Sequence, residues 1–85
     1  MGFKVERQIA LPLIYGDVKL DAGYRMDLWI ERLVIIEVKA VEELHPIHMA
    51  QMLTYLKLTG NKLGLIINFH SALLKNGMRR VVNNL

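Results

Sequence analysis

Asp27, Glu37 and Lys39 are the residues whose types and spacing could do chemistry. Glu37 and Lys39 stand two apart in the otherwise apolar stretch Leu33–Ala40. If that stretch is a strand, its period of two puts both side chains on one face. Charge at the end of an apolar central strand is costly to bury unless it is paired or bound to metal. Asp27 falls in the preceding run, Tyr24–Ile30. Two carboxylates converging from neighbouring strands offer hard oxygen ligands to Mg²⁺. A lysine beside them can orient or deprotonate a water, or stabilise charge developing on a phosphate. That is the minimum equipment for metal-assisted hydrolysis of a phosphodiester. The same acid-x-lysine spacing is more often a solvated pair on a strand edge, so the surrounding elements decide.

Those elements must bring the two acids together. Tyr24–Ile30 and Leu33–Ala40 read as a hairpin rich in Ile, Val, Leu and Trp. Directly opposed residues of an antiparallel pair share a face. A two-residue turn at Glu31-Arg32 would oppose Asp27 to Ile36 and turn it away from Glu37. A three-residue loop, Glu31-Arg32-Leu33, opposes Ile30 to Val34 and Asp27 to Glu37. The chemistry therefore requires an odd register or a bulge near the site, and bulges are common beside active sites. The apolar run before Glu37 reads as a central strand covered on both faces.

Ahead of the hairpin, Phe3–Ile14 alternates enough to predict a strand bent near Pro12. Tyr15-Gly16-Asp17 signals a turn, Val18–Leu20 a short strand, and Asp21-Ala22-Gly23 a second turn. Beyond the hairpin, Pro46 suits a first helical turn, Ile47–Leu58 a helix, and Gly60 its stop. Met49, Met52, Leu53 and Leu56 supply the apolar stripe of that helix. Gly64–Phe69 reads as another apolar strand. Strand, helix and strand in succession imply a right-handed crossover and a parallel pair. Ser71–Leu85 reads as a further short strand or a basic tail.

On the helix, Gln51 and Tyr55 are four apart and share a face, with His48 near it. They could point over the sheet towards the acids or a phosphate; on pattern alone a plain polar helix face, with an amphipathic tyrosine at its margin, is the more ordinary meaning. His45, His48 and His70 have no metal-ligand spacing, so zinc is not expected. Lys57, Lys62, Lys75, Arg79 and Arg80 could touch phosphates, but solvated cations are the ordinary meaning of such residues.

Length and composition set bounds. The chain has 85 residues, so one domain, 1–85, is expected, with a limited core. Apolar residues make up 53% and charged residues 22%, which fits a folded chain. Its net charge of +3 is compatible with nucleic acid without requiring it. With no cysteine, disulfides and thiolate metal sites are excluded. No apolar run approaches the ~20 residues of a membrane helix. Lys4, Glu6 and Arg7 interrupt any signal-like start, so a cytoplasmic location is expected.

The order Asp27, then Glu37-Val38-Lys39, then Gln51-x-x-x-Tyr55 resembles that of the PD-(D/E)XK nuclease superfamily, and the Q-x-x-x-Y helix resembles its exonuclease-like branch. More closely, residues 8–82 are similar to the small GxxExxY proteins of bacteria and archaea. Tyr24–Leu28, Ile36–Ala40, Ala50–Leu56, Gly64–Phe69 and the ending Leu74–Arg80 carry that similarity. The resemblance implies an α/β fold of restriction-endonuclease-like type: a mixed sheet of about four strands with one main helix. It implies Asp27 and Glu37 as ligands of Mg²⁺ or Mn²⁺, with the Val38 carbonyl as a third oxygen. It also implies Lys39 as the catalytic lysine, with Gln51 and Tyr55 supporting the site or the nucleic-acid backbone.

The chain departs from these relatives in one respect. It begins just before the first strand, without the N-terminal helical segment whose glutamate often completes the acidic cluster. The expectation is therefore an N-terminally truncated core whose uncovered sheet face is buried in a homo-oligomer. The expected function is a Mg²⁺-dependent nuclease, with DNA favoured over RNA and no membrane partner. The alternative is an inactive or truncated module of the same fold that binds nucleic acid or a protein partner.

Overall fold

The computed structural model describes residues 2–15, 18–70 and 77–84, with only the backbone described for residues 13–15 and 18–22. The chain runs β1 (Val5–Tyr15), β2 (Val18–Ile30), β3 (Val34–Lys39), α1 (Pro46–Thr59), β4 (Leu63–Asn68) and β5 (Met78–Val82). The strands form one sheet in sequence order, β1-β2-β3-β4-β5. β3 and β4, joined through α1, are parallel; every other neighbouring pair is antiparallel. This is the expected mixed α/β architecture, with five strands where about four were expected. The added strand is β5, in the basic stretch that composition alone left open between strand and tail.

The core lies between α1 and one sheet face. Met26, Ile35, Met52, Tyr55, Leu56 and Ile66 are its buried members. Of the expected helix stripe, Met52 and Leu56 are fully buried, Met49 packs against this core, and Leu53 is half-buried. Gly60 ends the helix as expected: its φ of 75° lies in the left-handed region, and its N–H donates to the Leu56 carbonyl. The expectation that β3 is covered on both faces does not hold among the described residues. Only one face carries a helix, and Val38 on the other is 42% exposed.

A second correction concerns β2. The short strand Val18–Leu20 and the turn Asp21-Ala22-Gly23 are parts of one continuous strand. Leu11 pairs with Tyr24 and Leu13 with Leu20, so Pro12 alone faces the three residues Asp21–Gly23. The turn signal is a bulge: proline has no N–H to give the ladder, and Gly23, at φ 75°, takes the left-handed backbone the bulge needs. In the expected turn Tyr15-Gly16-Asp17, Gly16 and Asp17 lie outside the described residues, as do Ser71–Asn76 of the tail.

The β2–β3 connection is the three-residue loop required by the chemistry. Ile30 pairs with Val34, Trp29 with Ile35 and Leu28 with Ile36. Glu31 and Arg32 both take positive φ, 53° and 55°, and the Leu33 N–H closes the turn on the Ile30 carbonyl at 2.9 Å. Neither residue is glycine, so the turn carries backbone strain, and side chains hold it in place. The Arg32 guanidinium bonds the Glu6 carboxylate at 2.9 and 3.2 Å and lies 4.6 Å over the Trp29 ring. Asn61, itself buried, accepts from the Trp29 indole N–H at 2.8 Å and donates to the Arg32 carbonyl at 2.6 Å.

Candidate active site

The regular β2–β3 ladder stops at the pair Leu28–Ile36. Beyond it, side chains replace backbone pairing. Glu37 Oε1 accepts the Asp27 backbone N–H at 3.0 Å, and Asp27 Oδ2 accepts the Val38 backbone N–H at 2.8 Å. Each carboxylate thus occupies one oxygen on the opposite strand. The odd register brings Asp27 opposite Glu37, as the sequence required.

A kink accompanies the register. The β1–β2 ladder passes from Arg7–Leu28 to Ile9–Met26, skipping Gln8 and Asp27. Gln8 has φ 51°, a left-handed conformation uncommon for a non-glycine residue. On β2, Met26 and Trp29 both belong to the helix-side core although they are three residues apart. A strand of strict period two would put them on opposite faces. β2 therefore changes face across Asp27-Leu28, and Asp27 sits at the break.

Three of the five expected side chains line two separate clefts, and the other two, Glu37 and Tyr55, are buried. Asp27 and Val38 line a cleft of about 550 Å³ with Arg7, Gln8 and Leu28. Lys39 and Gln51 line another, of about 540 Å³, with Tyr24, Ile47, His48, Ala50 and Thr54. Glu37 is buried, 5% exposed, and bonds to Asp27. Tyr55 is buried in the core rather than at a helix margin. Its hydroxyl donates to the Arg25 carbonyl at 3.3 Å, and its ring meets Tyr24 edge-on at 5.7 Å. It thereby tethers the β2 backbone two residues before Asp27.

The electrostatics follow the burial. Desolvation pushes the Glu37 carboxyl up from its ordinary 4.5 to about 7; the Asp27 N–H opposes that rise, the Asp27 charge adds to it, and Lys39 opposes it. The Tyr55 hydroxyl is also raised, first by burial and then by the Glu37 charge. A carboxyl with this value exchanges its proton near neutrality, where a small change in its surroundings decides whether it offers an anion.

The donor set suits a hard cation. Each carboxylate retains a second oxygen beside its backbone bond. The Lys39 carbonyl accepts from the Phe69 N–H on the β4 side. Carbonyl direction alternates along a strand, so the Val38 carbonyl turns to the β2 side, where Asp27 lies. These oxygens are of the kind Mg²⁺ and Mn²⁺ take. Among the described residues, no group of three or more His, Asp or Glu side chains could hold a metal. The acidic cluster is thus a pair of carboxylates with a backbone oxygen.

Sequence reasoning left out Arg7, Gln8 and Tyr24. Nothing in their types or spacing marks Arg7 or Gln8; they reach the site because β1 runs along the kinked part of β2. Tyr24 packs against the helix-side core and lines the Lys39 cleft, and its type and spacing do not mark it either.

A family model described as the PD-(D/E)XK nuclease superfamily matches residues 1–81, and the chain belongs to that superfamily. No curated protein and no solved structure gives a significant match. No described helix is long and apolar enough to cross a membrane.

Proposed function

We propose that this member of the PD-(D/E)XK nuclease superfamily hydrolyses nucleic-acid phosphodiester bonds with divalent metal, using Asp27, Glu37 and Lys39 as its centre. The observation that supports this most is the exchange of side-chain bonds between Asp27 and the Glu37-Val38 segment at the point where the β2–β3 ladder ends. Two carboxylates held this close repel when both are charged. A cation between them removes that repulsion.

Asp27, Glu37 and the Val38 carbonyl are the atoms that would hold Mg²⁺ or Mn²⁺, which supplies Lewis acidity to the attacked phosphate and to water. The chain's own residues do the remainder. Glu37 gives up its proton near neutral pH and becomes a full anion. Lys39, on the same strand face, brings a cation towards the charge that grows on the phosphate. Tyr55, through Arg25, fixes the backbone that carries Asp27. Gln51 places an amide in the Lys39 cleft, where it can hold a phosphate or sugar oxygen. Within the superfamily, the segments around Asp27, Glu37, Gln51 and Gly64 favour the GxxExxY branch, and DNA is the substrate we favour.

A second reading follows from the small size of the acidic cluster among the described residues. With two carboxylates in place of a larger set, the scaffold could bind nucleic acid without cutting it. A cleavage assay with Mg²⁺ or Mn²⁺ on single- and double-stranded substrates separates the two. Metal-dependent cleavage that disappears in Lys39→Ala and in Glu37→Ala supports the nuclease. Binding without cleavage in the wild type rejects it in favour of the module.

A further inference from the structure

The cleft that holds Lys39 has features the acidic centre does not use. The Lys39 and Gln51 side chains make no hydrogen bond or ion pair with a described residue. Thr54 is already engaged, its hydroxyl donating to the Ala50 carbonyl at 3.0 Å. The lining includes one cation and no carboxylate. Ile47 lines the same cleft and is 72% exposed.

His48 has two functions to divide between its two nitrogens. The His45 backbone N–H donates to His48 Nδ1 at 3.0 Å, while the His48 N–H donates to the His45 carbonyl at 2.9 Å. This reciprocal pair closes the first turn of α1. An Nδ1 that accepts carries no proton, so the neutral ring's proton is on Nε2. Burial, and then the charges of Lys39 and His45, hold the imidazole below its ordinary value, which keeps it neutral at pH 7. One nitrogen caps the helix, and the other is a fixed donor on a cleft-lining residue.

We infer that this cleft is a subsite for one unpaired nucleotide of a single-stranded substrate, with His48 Nε2–H, Lys39 and Gln51 donating to its phosphate and with Tyr24 and Ile47 walling its base. The volume, about 540 Å³, is that of a small-ligand site. A base can meet Tyr24 and Ile47 only when it is free of its partner strand; duplex bases are stacked away from protein rings. The Tyr24 ring is held in place by its edge-on contact with Tyr55. This subsite deepens the nuclease reading and relies on it for the identity of the strand.

The test is binding without chemistry: anisotropy of a labelled single-stranded oligonucleotide and of a duplex of the same length, in chelator and at fixed salt. Single strand should bind more tightly than duplex. His48→Asn keeps an oxygen where Nδ1 accepts and removes the Nε2 donor; it should lose about tenfold in single-strand affinity, the scale of one charge-assisted hydrogen bond, with its thermal midpoint unchanged. His48→Gln places an amide N–H where Nε2 was and removes the cap acceptor; it should keep its affinity and melt lower. Duplex binding as tight as single strand, or His48→Asn binding like wild type, overturns the proposal. If either His48 variant unfolds, the exposed Ile47→Ser serves: weaker single-strand binding supports the subsite, and unchanged binding overturns it. A protein that binds in this pattern but never cleaves keeps the subsite and loses the nuclease reading. One that cleaves while His48→Asn binds normally does the reverse.

Discussion

Asp27 and Glu37 hold each other across two strands: the Asp27 N–H donates to Glu37 Oε1 at 3.0 Å, and Asp27 Oδ2 accepts from the N–H of Val38, the residue after Glu37, at 2.8 Å. The two side chains do what ladder hydrogen bonds do elsewhere in the sheet. One oxygen of each carboxyl group is thus committed to the fold, and the second is the one the proposed metal chemistry would use.

This division gives a first prediction at Asp27. Asp27→Asn retains an oxygen for the Val38 N–H, so it should unfold within about 1 kcal/mol of wild type while losing metal-dependent cleavage. Asp27→Ala leaves that N–H without its acceptor and should cost about 1–3 kcal/mol in addition. Urea unfolding of both variants beside a cleavage assay checks the split. Equal stability of the two variants would show that the bond to Val38 contributes nothing.

Glu37 sets the pH dependence. Its folded value, about 7, lies above its ordinary 4.5, so the folded state holds the proton more tightly than the unfolded chain. The resulting stability is complete below about pH 4.5 and is lost as pH rises through about 7. Metal-free protein should thus be less stable at pH 8 than at pH 5 by about 1–3 kcal/mol from this group, and Glu37→Gln should remove the difference. Divalent metal must displace the same proton, so its affinity should rise with pH until about 7 and then level. Urea midpoints at the two pH values, and calorimetric metal titrations between them, measure both.

Asn61 carries the turn that fixes the register. It satisfies the Trp29 indole N–H and the Arg32 carbonyl, and its own carbonyl accepts from the Asn83 side chain at 3.2 Å. Asn61→Ala strips partners from two groups in a part-buried setting and should cost about 2–4 kcal/mol. Because Arg32 adopts positive φ in that turn, the variant should also reduce cleavage more than a remote substitution of equal stability cost. Chemical denaturation paired with kcat/KM reports this.

Gly77 tests the approach of β5 to the end of β4. A Cβ at this buried position would run into the Asn68 backbone carbonyl, which cannot swing aside as a side chain can. Asn68 is itself buried and clamps the segment after Lys39, accepting the Val41 N–H at 3.1 Å and donating to the Val41 carbonyl at 2.8 Å. Gly77→Ala should therefore destabilise by about 1–3 kcal/mol and disturb Lys39 as well, seen as weaker substrate binding alongside a lower thermal midpoint.

Much of this protein is determined by local pattern. The helix bounds follow from Pro46 and Gly60, the parallel pair from strand, helix and strand in order, and the candidate site residues from Asp27, Glu37-x-Lys39 and Gln51-x-x-x-Tyr55. Even the loop length was legible, because only a three-residue connection opposes Asp27 to Glu37. Other features were decided by tertiary structure. The turn signal at Asp21–Gly23 became a bulge because β1 supplies a proline opposite it, a partner no local window contains. Met26 and Trp29 share one face because Gln8 and Asp27 kink both strands together, which breaks the period-two rule used to assign faces. The division of the site into two clefts, and the burial that lifts Glu37 towards neutrality, arise where α1 covers the end of β3. Spacing along a chain names the groups that can do chemistry; desolvation and the bonds each carboxylate makes across the strands belong to the packed whole.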